Sequence, residues 1–207
     1  MPPHAALPCA APPRPTAHGP RLSEVLRDDP HRAEVEAFIH GVFQERFGAR
    51  VRGFAPVLVA LRDAQDRLVA AAGYRAADGG PLFLERYLEH PIEHHLQMAS
   101  GAPVSRARIA EVGHLASIQP GEGRRLVGLM AMLLAREGFD WIVSTLTQEL
   151  RQLFVRLGVA PLALGVADPE RLGEQAADWG SYYDHRPLVH AGQLQLALQA
   201  MQRRSRA

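Results

Sequence analysis

The segment that most restricts the fold is residues 107–158, which reads strand, glycine loop, helix, strand, helix. Ile109, Val112, Leu115 and Ile118 mark an apolar strand over residues 107–118. Gln119-Pro120-Gly121-Glu122-Gly123-Arg124-Arg125 forms a Gly/Pro-rich loop, and residues 124–137 carry the apolar body of a helix. Residues 141–146 read as a short buried strand, and residues 148–157 as a helix closed by Gly158. A glycine loop entering a helix N-terminus presents backbone N–H groups and the positive end of the helix dipole, an arrangement that binds anions such as a pyrophosphate. Gly121 and Gly123 allow close backbone approach, while Arg124 and Arg125 add charge at the rim. A tight strand-to-helix turn with solvated arginines gives the same string, and the loop alone does not separate the two readings.

The rest of the folded part is expected to run from about Arg21, as one domain over residues 21–207. Residues 1–20 hold seven of the 16 prolines and no acidic residue, the composition of a flexible tail, with the single cysteine, Cys9, inside it. Residues 21–26 read as a short edge strand, and Asp29-Pro30 as the start of a helix whose apolar face is Val35, Phe38, Ile39, Val42, Phe43 and Phe47. Gly48 ends that helix. Residues 54–62 and 67–75 pair as a hairpin across a polar turn. Residues 82–88 read as a strand end running into a helix that Pro91 breaks or restarts. Weaker strands are expected near residues 162–166 and 188–191, and a last helix over residues 193–201. The order suggests a mixed α/β sheet with helices on both faces.

Composition removes several chemistries. All 23 basic residues are arginine, so there is no Schiff-base lysine and no phosphate-loop lysine. A formal charge of +1 gives no reason to expect a nucleic-acid partner. One cysteine makes neither an internal disulfide nor a cysteine-rich zinc site. The longest apolar run, residues 126–135, covers half of the ~20 residues a membrane-spanning helix requires. With no signal-peptide pattern at Met1-Pro2-Pro3-His4, the expected location is cytoplasmic, without stable membrane insertion. Glu89-His90-Pro91-Ile92-Glu93-His94-His95 invites a metal reading, but Pro91 interrupts the helix that would align His90 with His94. A polar helix end is the expectation there, and no metal.

The loop resembles the cofactor-binding stretch of the GNAT acyltransferase superfamily: Gln119, Gly121 and Gly123 match its glycine pattern with one residue fewer after the glutamine. Thr147, Leu150, Phe154, Gly158 and Val159 fall on that superfamily's next helix, with Phe154 where many members carry the tyrosine that protonates the leaving thiolate. A wider resemblance is carried by residues 81–88, Pro91-Ile92-Glu93, Glu111-Val112-Gly113-His114-Leu115-Ala116 and Trp179-Gly180-Ser181-Tyr182-Tyr183, which are similar to the bacterial thermostable hemolysin family. That family's sequences resemble the branch of GNAT folds to which acyl-homoserine-lactone synthases belong. His114 stands where the family is expected to have asparagine.

The resemblance implies a mostly antiparallel GNAT-like sheet and an acyltransferase moving an acyl group from acyl-CoA or an acyl carrier protein to a small-molecule amine. Glu111 takes the base role, with His114 beside it if a bulge turns it into the same cleft. Leu115, Ala116 and Ile118 would pair with the pantetheine arm, and Gly121, Gly123, Arg124 and Arg125 would hold a phosphate. Arg86, Glu93 and Tyr182 are the substrate contacts, although an aromatic cluster such as Trp179, Tyr182 and Tyr183 also packs loops. The implied partners are the amine acceptor, an acyl-carrier-protein or CoA donor, and a second copy in a homodimer. A membrane-lytic protein and a GNAT-fold binding module without catalysis are the alternatives.

Overall fold

Seven strands and five α-helices follow from these patterns in a computed structural model that describes residues 19–206. The expected proline-rich tail over residues 1–20, with Cys9, lies outside the described residues except for Gly19 and Pro20. The strands are Arg21–Val25 (β1), Val57–Arg62 (β2), Leu68–Ala76 (β3), Ile109–Ser117 (β4), Trp141–Leu146 (β5), Leu162–Val166 (β6) and Leu188–Gln193 (β7). The helices are Arg32–Phe47 (α1), Ile92–Ser100 (α2), Glu122–Arg136 (α3), Gln148–Arg156 (α4) and Leu194–Arg206 (α5). One sheet runs β1-β2-β3-β4-β5-β7-β6, and every neighbouring pair is antiparallel except β4 with β5.

Both faces are covered because the strands alternate. Val35, Ile39 and Phe43 of α1 pack on Leu58, Ala60, Ala71 and Ala116. On the other face Leu126, Met130 and Leu134 of α3, with Leu194 of α5, pack on Val59, Leu61, Ala110 and Val112. Leu84, Ile92 and Leu96 pack on Ile109, Val143 and Val189.

Several boundaries differ from the sequence expectation for local reasons. Residues 82–88 contain no strand. Phe83–Tyr87 is a 3-10 helix, because the Glu85 carboxylate turns back to accept the Leu82 N–H (2.7 Å). Pro91 does restart the chain as a helix, α2. Asp29 does not cap α1 directly. Its Oδ1 accepts the His31 N–H (2.8 Å) in a preceding turn, and the helix starts at Arg32. Gly121, at φ 88°, lets α3 begin at Glu122, two residues earlier than expected. β4 is shorter than expected, since Arg106–Arg108 forms a 3-10 turn and Ile118 lies beyond the strand. The linker before β7 is built from the 3-10 helices Pro169–Trp179 and Tyr182–His185.

Candidate active site

The site begins with a divergence of strands. β4 pairs with β5 only through Ile109, Ala110 and Glu111, opposite Trp141, Ile142 and Val143. Beyond them the ladder ends, and the Ser144 hydroxyl donates to the Val112 carbonyl (2.7 Å) in its place. Residues 112–117 therefore have β3 on one side and no strand on the other, which leaves a backbone edge free to hydrogen-bond a ligand.

A bulge then changes the direction of the β4 side chains. Gly113 pairs with Gly73 and Ala116 with Ala71, so His114 and Leu115 face the single residue Ala72. His114 takes φ 56°, a left-handed conformation that costs a non-glycine residue about 1–2 kcal/mol. The extra residue puts His114 on the α1 face, the face Glu111 already occupies. Its ring packs on Phe54 and Phe43 (centroids 5.5 and 6.5 Å). Gly73 makes this possible, since a Cβ there would come within 2.8 Å of the Ala55 Cβ and 3.2 Å of His114 Nδ1. Burial lowers the His114 pKa to about 4, so the ring is neutral near pH 7, and Nδ1 has no hydrogen-bond partner among the described residues.

Glu111 is 9% exposed and held from two sides. Its oxygens accept the N–H groups of Phe83 and Leu84 (2.9 Å each), the first donors of the 3-10 helix, which have no partner within that helix. Arg75, its register partner on β3, brings Nε to 3.4 Å from Oε2. Burial nevertheless outweighs the N–H bonds and the arginine, and raises the carboxyl above its ordinary range. A buried carboxylate with a raised pKa and spare lone pairs is a stronger base than one on the surface.

Glu111 and His114 open onto one cavity of about 300 Å³. Leu115, Ala116, Gly123 and Tyr182, all singled out from the sequence, line it as well. Phe43, Phe47, Phe83, Tyr87, Trp179 and Tyr183 complete an aromatic wall, in which the Tyr87 and Tyr183 hydroxyls share a hydrogen bond of 2.6 Å. That wall is fastened to the end of α1: Phe47 O accepts the Ser181 N–H (2.8 Å), and a Cβ on Gly180 would lie 2.1 Å from the same oxygen. The Tyr182 hydroxyl donates to Thr145 O (3.4 Å) on the diverging part of β5.

Ile118, Gly121, Arg124 and Arg125 are not among the lining residues. Gly121 starts α3 with Arg124 exposed, and Arg125 reaches back to Glu122 (3.3 Å). Arg86 and Glu93 are also elsewhere. Arg86 covers the Phe83 ring and donates to Gln175 (2.6 Å). Glu93 joins Glu85 around Arg106, and Glu85 also accepts the Ile92 N–H (2.9 Å). Arg106 thus braces the turn whose N–H groups hold Glu111. His90, His94 and His95 do approach one another, with His90 and His94 ring centroids 4.7 Å apart. Among the described residues no group of three or more His, Cys, Asp or Glu is arranged to hold a metal. Phe154 turns its ring to a second, apolar cavity. No local sequence signal marks Arg75, Gly73, Ser144 or the Phe83 and Leu84 N–H groups. Only the strand register and the fold of the 82–88 turn bring them to the site.

The architecture is a GNAT-like fold. The AHL synthase LasI is similar over 88% of this chain and 95% of its own (TM-score 0.59, 14% identity). FeeM, an N-acyl amino acid synthase from uncultured soil microbes, is similar over 87% and 94% (TM-score 0.58, 12% identity). BjaI, a CoA-dependent acyl-homoserine lactone synthase solved with SAM and isopentyl-CoA, is similar over 90% and 89% (TM-score 0.58, 16% identity). At such identities the likeness establishes the fold. Among curated proteins none matches the sequence. The thermostable hemolysin family model matches residues 25–198, and the chain belongs to that family. No helix among the described residues is long and apolar enough to cross a membrane.

Proposed function

We propose that this chain is an N-acyltransferase that moves an acyl group from an acyl thioester, on CoA or on an acyl carrier protein, to a small amine. The observation that carries the reading is the divergence of β4 from β5 with a buried carboxylate at its apex. An extended pantetheine arm is a strand-like chain of amides, and the free edge of residues 112–117 offers it backbone partners. The residues suited to hold its phosphate are Gly121, Gly123, Arg124 and Arg125, at the start of α3. The acceptor amine enters along the aromatic wall and gives its proton to Glu111 as nitrogen attacks the thioester carbonyl; as the C–N bond forms the C–S bond breaks, and the thiolate leaves and takes up a proton from solvent, with the amide as product. His114, neutral and with Nδ1 unpartnered, is suited to accept a hydrogen bond from the same amine. Arg86 and Glu93 hold the turn that carries Phe83 and Leu84, and Tyr182 forms part of the wall. That structural neighbours include acyl-homoserine-lactone synthases and an N-acyl amino acid synthase supports this class of reaction.

The test is thiol release from a panel of acyl-CoA and acyl-pantetheine donors in the presence of candidate amines, with mass spectrometry for the acylated product. The rate rises as Glu111 loses its proton. The acid limb of kcat/KM therefore lies above the ordinary carboxylate range, in keeping with the raised pKa. Absence of thiol release with every donor and amine refutes the proposal. A limb at an ordinary carboxylate value moves the base to another residue.

A further inference from the structure

Two carboxylates line the main cavity, and the acyl-transfer reading uses one of them. The second, Glu149, stands at the start of α4. Its Oε1 accepts from His185 Nδ1 (2.8 Å), while Oε2 is covered and has no hydrogen-bond partner among the described residues. Burial alone raises this carboxyl, but the His185 bond and the dipoles at the start of α4 outweigh it and hold the group below its ordinary range. Glu149 is therefore a negative charge at neutral pH, with one oxygen that has lost its hydration and gained nothing in return. Arg46 and Arg156 line the same cavity, yet neither is ion-paired with Glu149 or with another acid among the described residues. Arg46 lies instead over the Phe47 ring (5.3 Å).

A row of rings joins the two carboxylates. His185 meets Phe47 edge-on (centroids 5.1 Å), Phe47 meets Tyr182 (5.3 Å), Tyr182 meets Trp179 (5.3 Å) and Trp179 meets Phe83 (5.7 Å). Phe83 closes the row on Glu111 through its N–H (2.9 Å). Glu111 stands opposite Val143, and Glu149 follows the end of β5 at Leu146, about 10 Å of strand further on. At the near end His114 Nδ1 adds another acceptor without a partner. The hydroxyls of Ser144 and Tyr182 spend their hydrogens on Val112 O and Thr145 O. Acceptors at both ends of an aromatic row call for donors at both ends of the ligand. An ammonium suits the far end, since it pairs with a carboxylate and lies well against aromatic faces. Arg46 and Arg156 repel it elsewhere along that end, which leaves Glu149 as its counter-charge.

We infer that the acceptor is an α,ω-diamine: one nitrogen reacts beside Glu111 while the other stays an ammonium on Glu149 Oε2, with the methylene chain along the aromatic row. The inference deepens the acyl-transfer reading and rests on it. A monoamine leaves Oε2 unpaired, and an amino alcohol offers a donor without the charge. An amino acid brings a like charge to Glu149.

Titration calorimetry of hexylamine, 1,6-diaminohexane, 6-aminohexanol and 6-aminohexanoate on the full chain, alone and with CoA, tests this separately from turnover. The diamine is expected to bind about tenfold tighter than hexylamine, the size of one charge-assisted hydrogen bond at a half-exposed site. The amino alcohol falls between them, and aminohexanoate binds least. In Glu149→Gln the preference for the diamine falls to about unity, and unchanged hexylamine binding shows that the variant is folded. Glu149→Asp keeps the charge and part of the preference. Equal binding of hexylamine and the diamine by the natural chain overturns the inference, as does no binding of any amine. So does a preference that survives Glu149→Gln, or tighter binding of aminohexanoate, which assigns this end of the cavity to Arg46 and Arg156. Thiol release from acyl-CoA and acyl-pantetheine is recorded in parallel. A diamine preference in binding with no thiol release retains the site and removes the acyltransferase. Release that does not distinguish the two amines retains the acyltransferase and overturns the inference.

Discussion

Along β4, residues 109–111 pair with β5, and Ala110 and Glu111 also with β3 on the other side, whereas residues 112–117 keep only β3. The first part behaves as sheet interior. Ile109 and Ala110 are fully buried, and Glu111 is tied to Arg75 and to two backbone N–H groups. The second part contains a bulge, a left-handed histidine and an open edge. On the acyl-transfer proposal, the base sits where the ladder is complete. On the same proposal, the donor arm lies where the ladder has been given up. Substitutions in the first part should therefore strike stability and turnover together, and substitutions in the second should separate them.

The largest effect is expected at Glu111. Glu111→Leu leaves the Phe83 and Leu84 N–H groups and the Arg75 guanidinium without their shared acceptor. A loss of about 2–4 kcal/mol in urea unfolding is expected, on the scale of two buried unpaired donors. Acyl transfer should fall by about 10²–10⁴-fold, the usual contribution of one positioned base. Glu111→Gln is not a silent isostere here, because its NH2 group must face one of the two N–H donors. A variant as stable as the natural chain would show that Glu111 holds nothing.

His114 should give an intermediate effect that depends on the replacement. Asparagine tolerates φ 56° and a β-branched residue does not, so His114→Val should lose about 2 kcal/mol while His114→Asn stays within about 1 kcal/mol. The histidine also imposes an acid dependence. Its folded pKa of about 4 lies below the ordinary 6.5, so the unfolded chain binds the proton first as pH falls. Stability is therefore complete above pH 6.5 and declines towards pH 4, and unfolding curves of His114→Asn should lack that part of the slope. Equal slopes for the two proteins would place the ring in solvent.

The smallest effect on stability is expected at the open end. A Cβ on Gly123 meets the Ser117 hydroxyl at 3.1 Å, at the point where the free edge reaches the start of α3. Gly123→Ala should change the unfolding free energy by less than about 1 kcal/mol, since alanine is the better helix former. Donor affinity should weaken several-fold in calorimetry. A large stability loss with normal donor binding would reverse the contrast between the two parts of β4.

Most elements were legible in the sequence because their signals are local. The hairpin of β2 and β3, the run β4-α3-β5-α4 and the closing glycines follow from apolar spacing and turn residues. The bulge that turns His114 towards Glu111 was readable as a requirement, though not as an event, because Gly73 lies 41 positions earlier on another strand. The surroundings of Glu93 are unreadable for the same reason. Its triplet Pro91-Ile92-Glu93 looks like a contact for an amine, yet the chain folds Arg106 onto it. The loop 119–125 announced its helix but not its distance from the cavity, which depends on how far β4 and β5 diverge. Arg75, opposite Glu111 only through strand register, left no local mark at all.

The crossing at Gly180 has a mechanical consequence. Phe47 O and the Gly180 backbone approach more closely than any side chain permits, and Ser181 bonds to the same oxygen twice, through its N–H and its hydroxyl. The last turn of α1 and the Trp179-Gly180-Ser181-Tyr182-Tyr183 segment therefore move as one plate, with no hinge between them. Any change in the width of the cavity on that side displaces the end of α1 and the aromatic rings together, so the two are one degree of freedom.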